Sequence, residues 1–133
     1  MIKPEDLTKE QFLEQILEIC DKNPDKINPT DSRNNCVYED PKGNHCIIGE
    51  WLSVHYPEII KNMPVEEDGC KGKVSIEEMV TSTAFTVLDK YNFSHETSLL
   101  ATRIQTYADG TTSYDPPVKW SKIKDKFECY EFS

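Results

Sequence analysis

The N-terminal part of the chain carries an apolar pattern with the 3.6-residue period of a helix. The positions that keep this spacing are Phe12, Leu13, Ile16, Leu17 and Cys20. Thr8 precedes the pattern and Gln11 follows three positions later, which is typical of a capping box. Asn23-Pro24 ends the pattern, because proline cannot continue the hydrogen-bond ladder. The sequence therefore predicts a first helix from Thr8 to about Asn23.

After Asn23 the helical periodicity of apolar residues ends and turn-forming residues predominate. Residues 24–35 are dense in Pro, Asp, Asn and Ser and are interpreted as an irregular connection. Asp40-Pro41-Lys42-Gly43 has Pro at the second and Gly at the fourth turn position, as tight turns do. We expect a small β-hairpin near residues 36–46.

A second helix follows this turn and is apolar on most of its surface. Asn44 is the candidate N-cap, and Pro57 ends the helix. Its core residues are Cys46, Ile47, Ile48, Trp51 and Leu52, with His55 near the end. Because apolar residues surround it, we expect this to be the central helix. Residues 57–74 are predicted to be a loop with at most a short helical turn.

Three further helices are predicted from their capping residues. Ser75 with Glu78 forms a capping box. Another helix is expected to start at Ser94 and to end before Gly110. Asp115-Pro116 looks like an N-cap followed by a first-turn proline, opening a last helix that runs to about Cys129.

The predicted architecture is a single domain spanning residues 1–133. It is mainly α (α+β), with about five helices packed around a central helix and the small β-hairpin. A mass of 15.3 kDa suits one domain, and a hydrophobic content of 37% excludes a disordered tail.

The charge adds a constraint on partners. The formal net charge is −9, from 15 basic and 24 acidic residues, which argues against duplex nucleic acid and anionic membranes. The two parts of the chain differ. Residues 1–70 hold 15 acidic and 7 basic residues, whereas residues 71–133 hold 9 and 8.

Compartment is inferred from apolar runs and cysteines. No apolar run reaches the roughly 18–20 residues that span a bilayer, and the first ten residues lack the apolar stretch of a signal peptide. Five irregularly spaced cysteines do not suggest a disulfide scaffold. We expect a cytoplasmic protein with reduced thiols.

One local motif resembles a known group of proteins. Cys36-x-Tyr38, a turn, and then Cys46-Ile47-Ile48-Gly49 is similar to a pattern in small uncharacterised phage and phage-associated actinobacterial proteins. Their later helix carries Gln and then Asp, followed by a helix with Trp. Gln105, Asp109 and Trp120 match these positions loosely. The resemblance implies a gene context and a fold, and no mechanism.

The physical interpretation of this motif is structural. Gly49, one turn into a helix, costs about 1 kcal/mol relative to Ala, which suggests close approach of another backbone. Cys36 and Cys46 would fill tight space as small apolar groups. Tyr38 would bury its ring while its hydroxyl finds a partner.

An enzymatic alternative uses the same cysteine. Cys46 near a predicted helix N-terminus would have a lowered thiol pKa, and His45, His55 or His95 could be the base, although His45 is poorly placed to serve its own neighbour in sequence. Under this hypothesis the protein is a small cysteine-dependent hydrolase or transferase. A zinc site could be drawn from Cys36, His45, Cys46 and His55, but the nine-residue spacings match no familiar zinc module. No metal or cofactor is expected.

The last predicted helix carries a stripe of positive charge. Lys119, Lys122 and Lys126 fall at i, i+3 and i+7. Their stems could simply cover apolar surface. Alternatively, with Trp120, Tyr114 and Arg103, they form a ligand site for a phosphate-bearing small molecule, held by charge and stacking.

The function expected from these observations is non-enzymatic binding. The resemblance to phage proteins implies an accessory protein that antagonises a bacterial immune system, acting in the host cytosol. Its partner would be a nucleotide second messenger, which the protein would sequester, or a host defence protein, which it would bind through the acidic 57–74 region. A homo-oligomer stays an open alternative.

Overall fold

The computed structural model describes residues 2–29, 38–65, 69–71, 88–110 and 117–129. These parts of the chain are mainly helical, as predicted. A 3-10 turn at Pro4–Asp6 is followed by α1 (Lys9–Lys22), α2 (Ile47–His55), α3 (Pro57–Lys61), α4 (His95–Asp109) and α5 (Trp120–Phe127). Residues 88–90 are also helical.

The start of α1 is confirmed as a capping box. The Gln11 backbone N–H donates to Thr8 Oγ1 over 3.1 Å, and the Thr8 backbone N–H donates to Gln11 Oε1 over 2.9 Å. The helix ends at Lys22, immediately before Asn23-Pro24. Local sequence alone accounts for both ends of this helix.

The N-cap predicted for α2 is wrong. Cys46 is the N-cap, and its Sγ accepts a hydrogen bond from the Gly49 backbone N–H over 3.2 Å. Asn44 is held instead by the preceding turn, where its backbone N–H and side-chain amide donate to the Asp40 carboxylate over 2.8 and 2.9 Å. The Asp40 carboxylate therefore holds Asn44 in the turn, and Asn44 does not cap α2.

The β-hairpin expected near residues 36–46 does not form strands in the described part of this segment. The turn itself is present, because the Gly43 N–H donates to the Asp40 carbonyl over 3.0 Å. Only isolated bridges join Glu39 to His45 and to Lys71. The chain enters α2 directly after His45, so there is no room for a longer ladder.

Both ends predicted for α4 are confirmed, whereas for α5 only the end is. Ser94 caps α4 and Gly110 follows it with φ 93°. The predicted cap Asp115 lies outside the described residues, but residues 117–119 are not helical and the last helix begins at Trp120. Its first free N–H groups are satisfied by tertiary contacts. The Trp120 and Ser121 N–H groups donate to the carbonyls of Lys26 and Pro24 over 2.8 and 3.0 Å.

Two predicted segments lie largely outside the described residues. The helix expected to open at Ser75 falls in residues 72–87, and residues 66–68 and 72–74 of the acidic loop are likewise not described. The described part of that loop contains α3, a five-residue helix that corresponds to the short helical turn expected there.

The core lies where α1 and α2 meet. Helix α2 packs against α1, α3 and α4, while α1 also packs against α4 and α5, so the two helices share the centre. Trp51 is fully buried among the rings of Phe12, Tyr56 and Phe93, with centroids 4.7 to 5.4 Å away. Its indole N–H donates to Gln15 Oε1 over 2.8 Å.

Candidate functional site

The Cys46 thiol is fully buried and serves as a structural acceptor. Besides the bond from the Gly49 N–H, its Sγ lies 3.9 Å from the Gln105 Nε2 donor. The Cys46 sulfur therefore links the N-terminus of α2 to Gln105 of α4. It has no solvent-exposed surface on which a substrate could meet it.

Gly49 has the close backbone approach that its position predicts. A Cβ atom built on Gly49 would collide with the backbone carbonyl of Tyr38. Tyr38 is itself fully buried, and its hydroxyl donates to Gln105 Oε1 over 3.3 Å. The Tyr38 segment therefore lies directly on α2, and only glycine allows it to do so.

Asn28 connects three elements inside the core. Its Oδ1 accepts from the Ile47 backbone N–H over 2.9 Å and from Trp120 Nε1 over 3.0 Å. Its amide donates to Asp109 Oδ1 over 2.6 Å. One buried side chain therefore ties the start of α2 and the start of α5 to the end of α4.

Most of the described residues that carry the resemblance meet, together with Asn28, in one buried cluster, whereas Cys36 of the motif lies outside the described residues. The members of the cluster are Asn28, Tyr38, Cys46, Gly49, Gln105, Asp109 and Trp120, all of them buried. Sequence reasoning missed Asn28, because an asparagine within a run of turn formers carries no signal of burial. The motif therefore has a structural explanation in the described residues, because its members hold three helices and two connecting segments together.

Trp120 does not lie on the surface where the sequence analysis placed it. Its ring is fully buried, and its indole N–H is used by Asn28. A ligand could not stack on this ring without opening the core. The aromatic partner of the lysine stripe must therefore be another residue.

The structure does not bring Cys46 and His55 together. Cys46 caps the first turn of α2 and His55 is the last residue of the same helix. At 1.5 Å per residue the two are about 13 Å apart along the axis. The pair therefore lacks the nucleophile–base contact that cysteine catalysis requires.

His45, next to Cys46 in sequence, belongs to a separate ionic cluster. Its Nε2 lies 2.9 Å from Glu39 Oε1, and its Nδ1 lies 3.1 Å from Glu50 Oε2. Lys71 Nζ lies 3.4 Å from the other oxygen of Glu39. This cluster joins the turn before α2 to the 69–71 segment, and both ring nitrogens are engaged in it.

The described residues contain no group of three or more His, Cys, Asp or Glu side chains that could hold a metal ion. Of the four residues considered for zinc, Cys36 lies outside the described residues, as does Tyr114 of the proposed ligand site. Cys46 and His55 lie at opposite ends of α2.

The three lysines of the stripe share one edge of α5, which we call the lysine edge (Lys119, Lys122 and Lys126). All three are exposed. Lys119 Nζ lies 3.7 Å from Asp25 Oδ1. Because both side chains are largely in solvent, this ion pair contributes little to stability. Lys122 makes no ion pair with another described residue. Lys124, in contrast, points away and bonds Asp21 over 2.8 Å.

Helix α4 supplies the aromatic neighbour of the lysine edge. Lys126 Nζ lies 5.0 Å from the centroid of the Tyr107 ring, and Tyr107 also contacts Phe127 edge-on at 6.0 Å. Arg103 is exposed one turn before Tyr107, on the same side of α4. Tyr107, which sequence reasoning missed, therefore supplies the ring beside Lys126 that was expected of Trp120.

An acidic groove of about 600 Å³ lies elsewhere, between the first residues of α1 and those of α4. Acidic side chains lining it are Glu5, Asp6, Glu10 and Glu96. Lys9 Nζ crosses it to Glu96 Oε2 over 3.1 Å. This groove is open and shares no residue with the lysine edge.

Among the helices that the structure describes, none combines the length and apolar character needed to cross a membrane.

Compared with known proteins, the chain matches no family model, no curated protein and no solved structure.

Proposed function

We propose that this protein is a phage-type accessory protein that binds, without catalysis, a phosphate-bearing nucleotide along the lysine edge. By holding this ligand it would withdraw a nucleotide signal from a bacterial immune system. The observation that carries the proposal is the Tyr107 ring of α4 beside Lys126, the last of the three exposed lysines of the lysine edge. Arg103 is exposed one turn before Tyr107 on α4. The link to bacterial defence rests on the resemblance of residues 36–49 to phage proteins.

The charge on this edge favours an anionic ligand. Lys122 and Lys126 are four residues apart, a spacing at which like charges on a helix repel each other. The rest of the chain is acidic, with a net charge of −9, so this grouping runs against the general trend. A bound phosphate would relieve the repulsion and gain charge-assisted hydrogen bonds.

The aromatic ring adds a reason to expect a nucleotide. Tyr107 is half-buried, and its ring lies within reach of the Lys126 ammonium group. A planar base can stack on such a ring while its phosphate pairs with neighbouring cations. Arg103 would add a planar, forked donor that suits phosphate oxygens.

The burial of Cys46 supports binding over the cysteine-hydrolase alternative. Its sulfur accepts hydrogen bonds from Gly49 and Gln105, and the candidate base His55 lies at the far end of α2.

Calorimetry of the full chain against a panel of cyclic and linear nucleotides tests the proposal. We expect saturable heat with at least one of them. In the double variant Lys122→Ala/Lys126→Ala, affinity for that nucleotide should fall by about tenfold or more, because two charge-assisted contacts are lost.

The matched control is Lys61→Ala, which removes an exposed lysine from α3. It should bind like the wild type. An absence of heat with every nucleotide, or equal affinity in the double variant, would refute the proposal.

A further inference from the structure

A second groove lies between α1 and α2, on residues that the lysine edge does not use. We call it the α1–α2 groove, and the residues lining it are Ile2, Gln15, Val54, His55 and Tyr56. Its volume is about 290 Å³. Pockets that enclose drug-sized ligands are usually about 300–1,000 Å³, so this groove suits one or two side chains of a larger partner.

The groove presents exposed apolar surface. Val54 is 57% exposed although it lies on α2, the most apolar helix described. Ile2 is half-buried beside it and is held in place because the Tyr56 hydroxyl donates to its carbonyl over 2.7 Å. An aliphatic side chain of a partner would bury Val54 and gain hydrophobic free energy.

Two polar groups in the groove keep hydrogen-bonding capacity. Gln15 uses its Oε1 to accept from Trp51, which leaves its amide donors without a hydrogen bond to any described residue. His55 likewise has no hydrogen-bond partner within the described ranges. Burial lowers the pKa of His55, while the nearby Glu18 charge raises it, and the net shift is downward. The ring is therefore mainly neutral at pH 7 and offers one donor and one acceptor.

Acidic side chains lie beside the groove on α1. Glu18 is near enough for its charge to act on His55, and Glu14 lies one turn before Glu18 on the same exposed side of the helix. Glu18 bonds Lys22 over 3.0 Å, whereas Glu14 makes no ion pair with a described residue. Carboxylates beside an apolar floor are complementary to a segment that alternates cationic and aliphatic side chains.

We infer that the α1–α2 groove docks a basic, amphipathic peptide segment of a partner protein. Val54 and Ile2 receive an aliphatic side chain, Glu14 and Glu18 pair with Lys or Arg, and Gln15 and His55 bond the peptide backbone. The inference is independent of the nucleotide proposal, since it uses neither α5 nor α4.

Three fluorescent twelve-residue peptides test it against the full chain. The first alternates Lys and Leu, the second replaces every Leu with Ser, and the third replaces every Lys with Glu. Fluorescence anisotropy gives affinity, and amide NMR shifts locate the contact. We expect the Lys/Leu peptide to bind at least about tenfold more tightly than the other two, with shifts at Gln15, Val54 and His55.

Two matched variants assign the contact to the groove. Val54→Asn should weaken Lys/Leu binding by about tenfold, as for the loss of an apolar anchor. Leu99→Asn, which changes an exposed aliphatic residue of α4, should leave it unchanged. Both substitutions are at exposed sites, and circular dichroism checks that the helices persist.

The proposal fails if the Lys/Ser peptide binds as tightly as the Lys/Leu peptide, because charge alone would then explain binding. It also fails if Val54→Asn binds like the wild type, or if the NMR shifts fall on the acidic groove at Glu5 and Glu96. None of these outcomes affects the nucleotide proposal, whose variants lie on α5.

Discussion

At the residue scale, Gly49 determines how closely the Tyr38 segment approaches α2. Glycine is a poor helix former, and Ala at such a position would ordinarily stabilise a helix by about 1 kcal/mol. Here a Cβ atom would meet a backbone carbonyl, which cannot move aside as a flexible side chain can. The steric cost therefore opposes the gain in helix propensity.

We predict that Gly49→Ala destabilises the protein by about 1–3 kcal/mol, the usual range for overpacking a tight site. Urea unfolding measures the change in the free energy of unfolding. The control is Ser53→Ala on the same helix, where the side chain is partly exposed and only propensity changes. A Gly49→Ala variant as stable as the wild type would contradict the close approach.

At the element scale, the helix ends differ in what stabilises them. α1 and α4 are capped by the local side chains Thr8 and Ser94. α2 combines its local cap, Cys46, with a bond from the Ile47 N–H to the distant Asn28. α5 depends on distant groups, and Asn28 also accepts from its Trp120 indole. Because Asn28 connects elements from three regions of the chain, replacing it should destabilise the whole fold.

We predict that Asn28→Ala lowers the free energy of unfolding by about 2–4 kcal/mol, since it leaves the Ile47 and Trp120 donors buried without an acceptor. Chemical unfolding followed by Trp fluorescence reports the effect, because Trp120 is part of the contact. Asn62→Ala, at an exposed site after α3, is the matched control and should change stability by less than about 0.5 kcal/mol. Equal stability of the two variants would show that Asn28 does not hold the helices together.

At the scale of the whole molecule, burial of ionisable groups makes stability depend on pH. Burial raises the pKa of the Cys20 thiol from 9.0 to about 12 and raises that of Tyr38 well above 10.0. The folded protein therefore holds these protons at a pH at which the unfolded chain releases them. Their stabilising contribution is complete below about pH 9 and is lost as the pH rises toward the folded pKa values.

We predict that stability declines between pH 9 and pH 11, with about 2 kcal/mol lost through Cys20 alone. Urea midpoints at a series of pH values measure the slope. Cys20→Ala should show a shallower slope, although its stability at pH 7 is lower. Cys129→Ala, at an exposed site, should keep the wild-type slope. A Cys20→Ala slope equal to that of the wild type would contradict the assignment.

Charge is also distributed at this scale. Three glutamates, Glu10, Glu14 and Glu18, follow one another at four-residue spacing along the exposed side of α1. The lysine edge lies on α5, on the side toward α4. The three glutamates and the lysine edge therefore belong to different helices.

The sequence by itself determined the features that depend on neighbours along the chain. The capping box of α1, the turn at Asp40–Gly43 and both ends of α4 follow from side chains three or four residues apart, so they could be predicted. The mainly helical class follows from apolar period for the same reason. Even the need for a close contact at Gly49 was predictable, because a helix rarely accepts glycine without one.

Only the tertiary structure decided what depends on distant partners. The carbonyls of Pro24 and Lys26 set the start of α5, and Asn28 holds Trp120 in the core. The same packing placed Tyr107, and not Trp120, beside the lysine edge and left Val54 exposed in the α1–α2 groove. Hydrogen bonds and burial between remote segments carry no local pattern, and therefore no periodicity or capping signal could have predicted them.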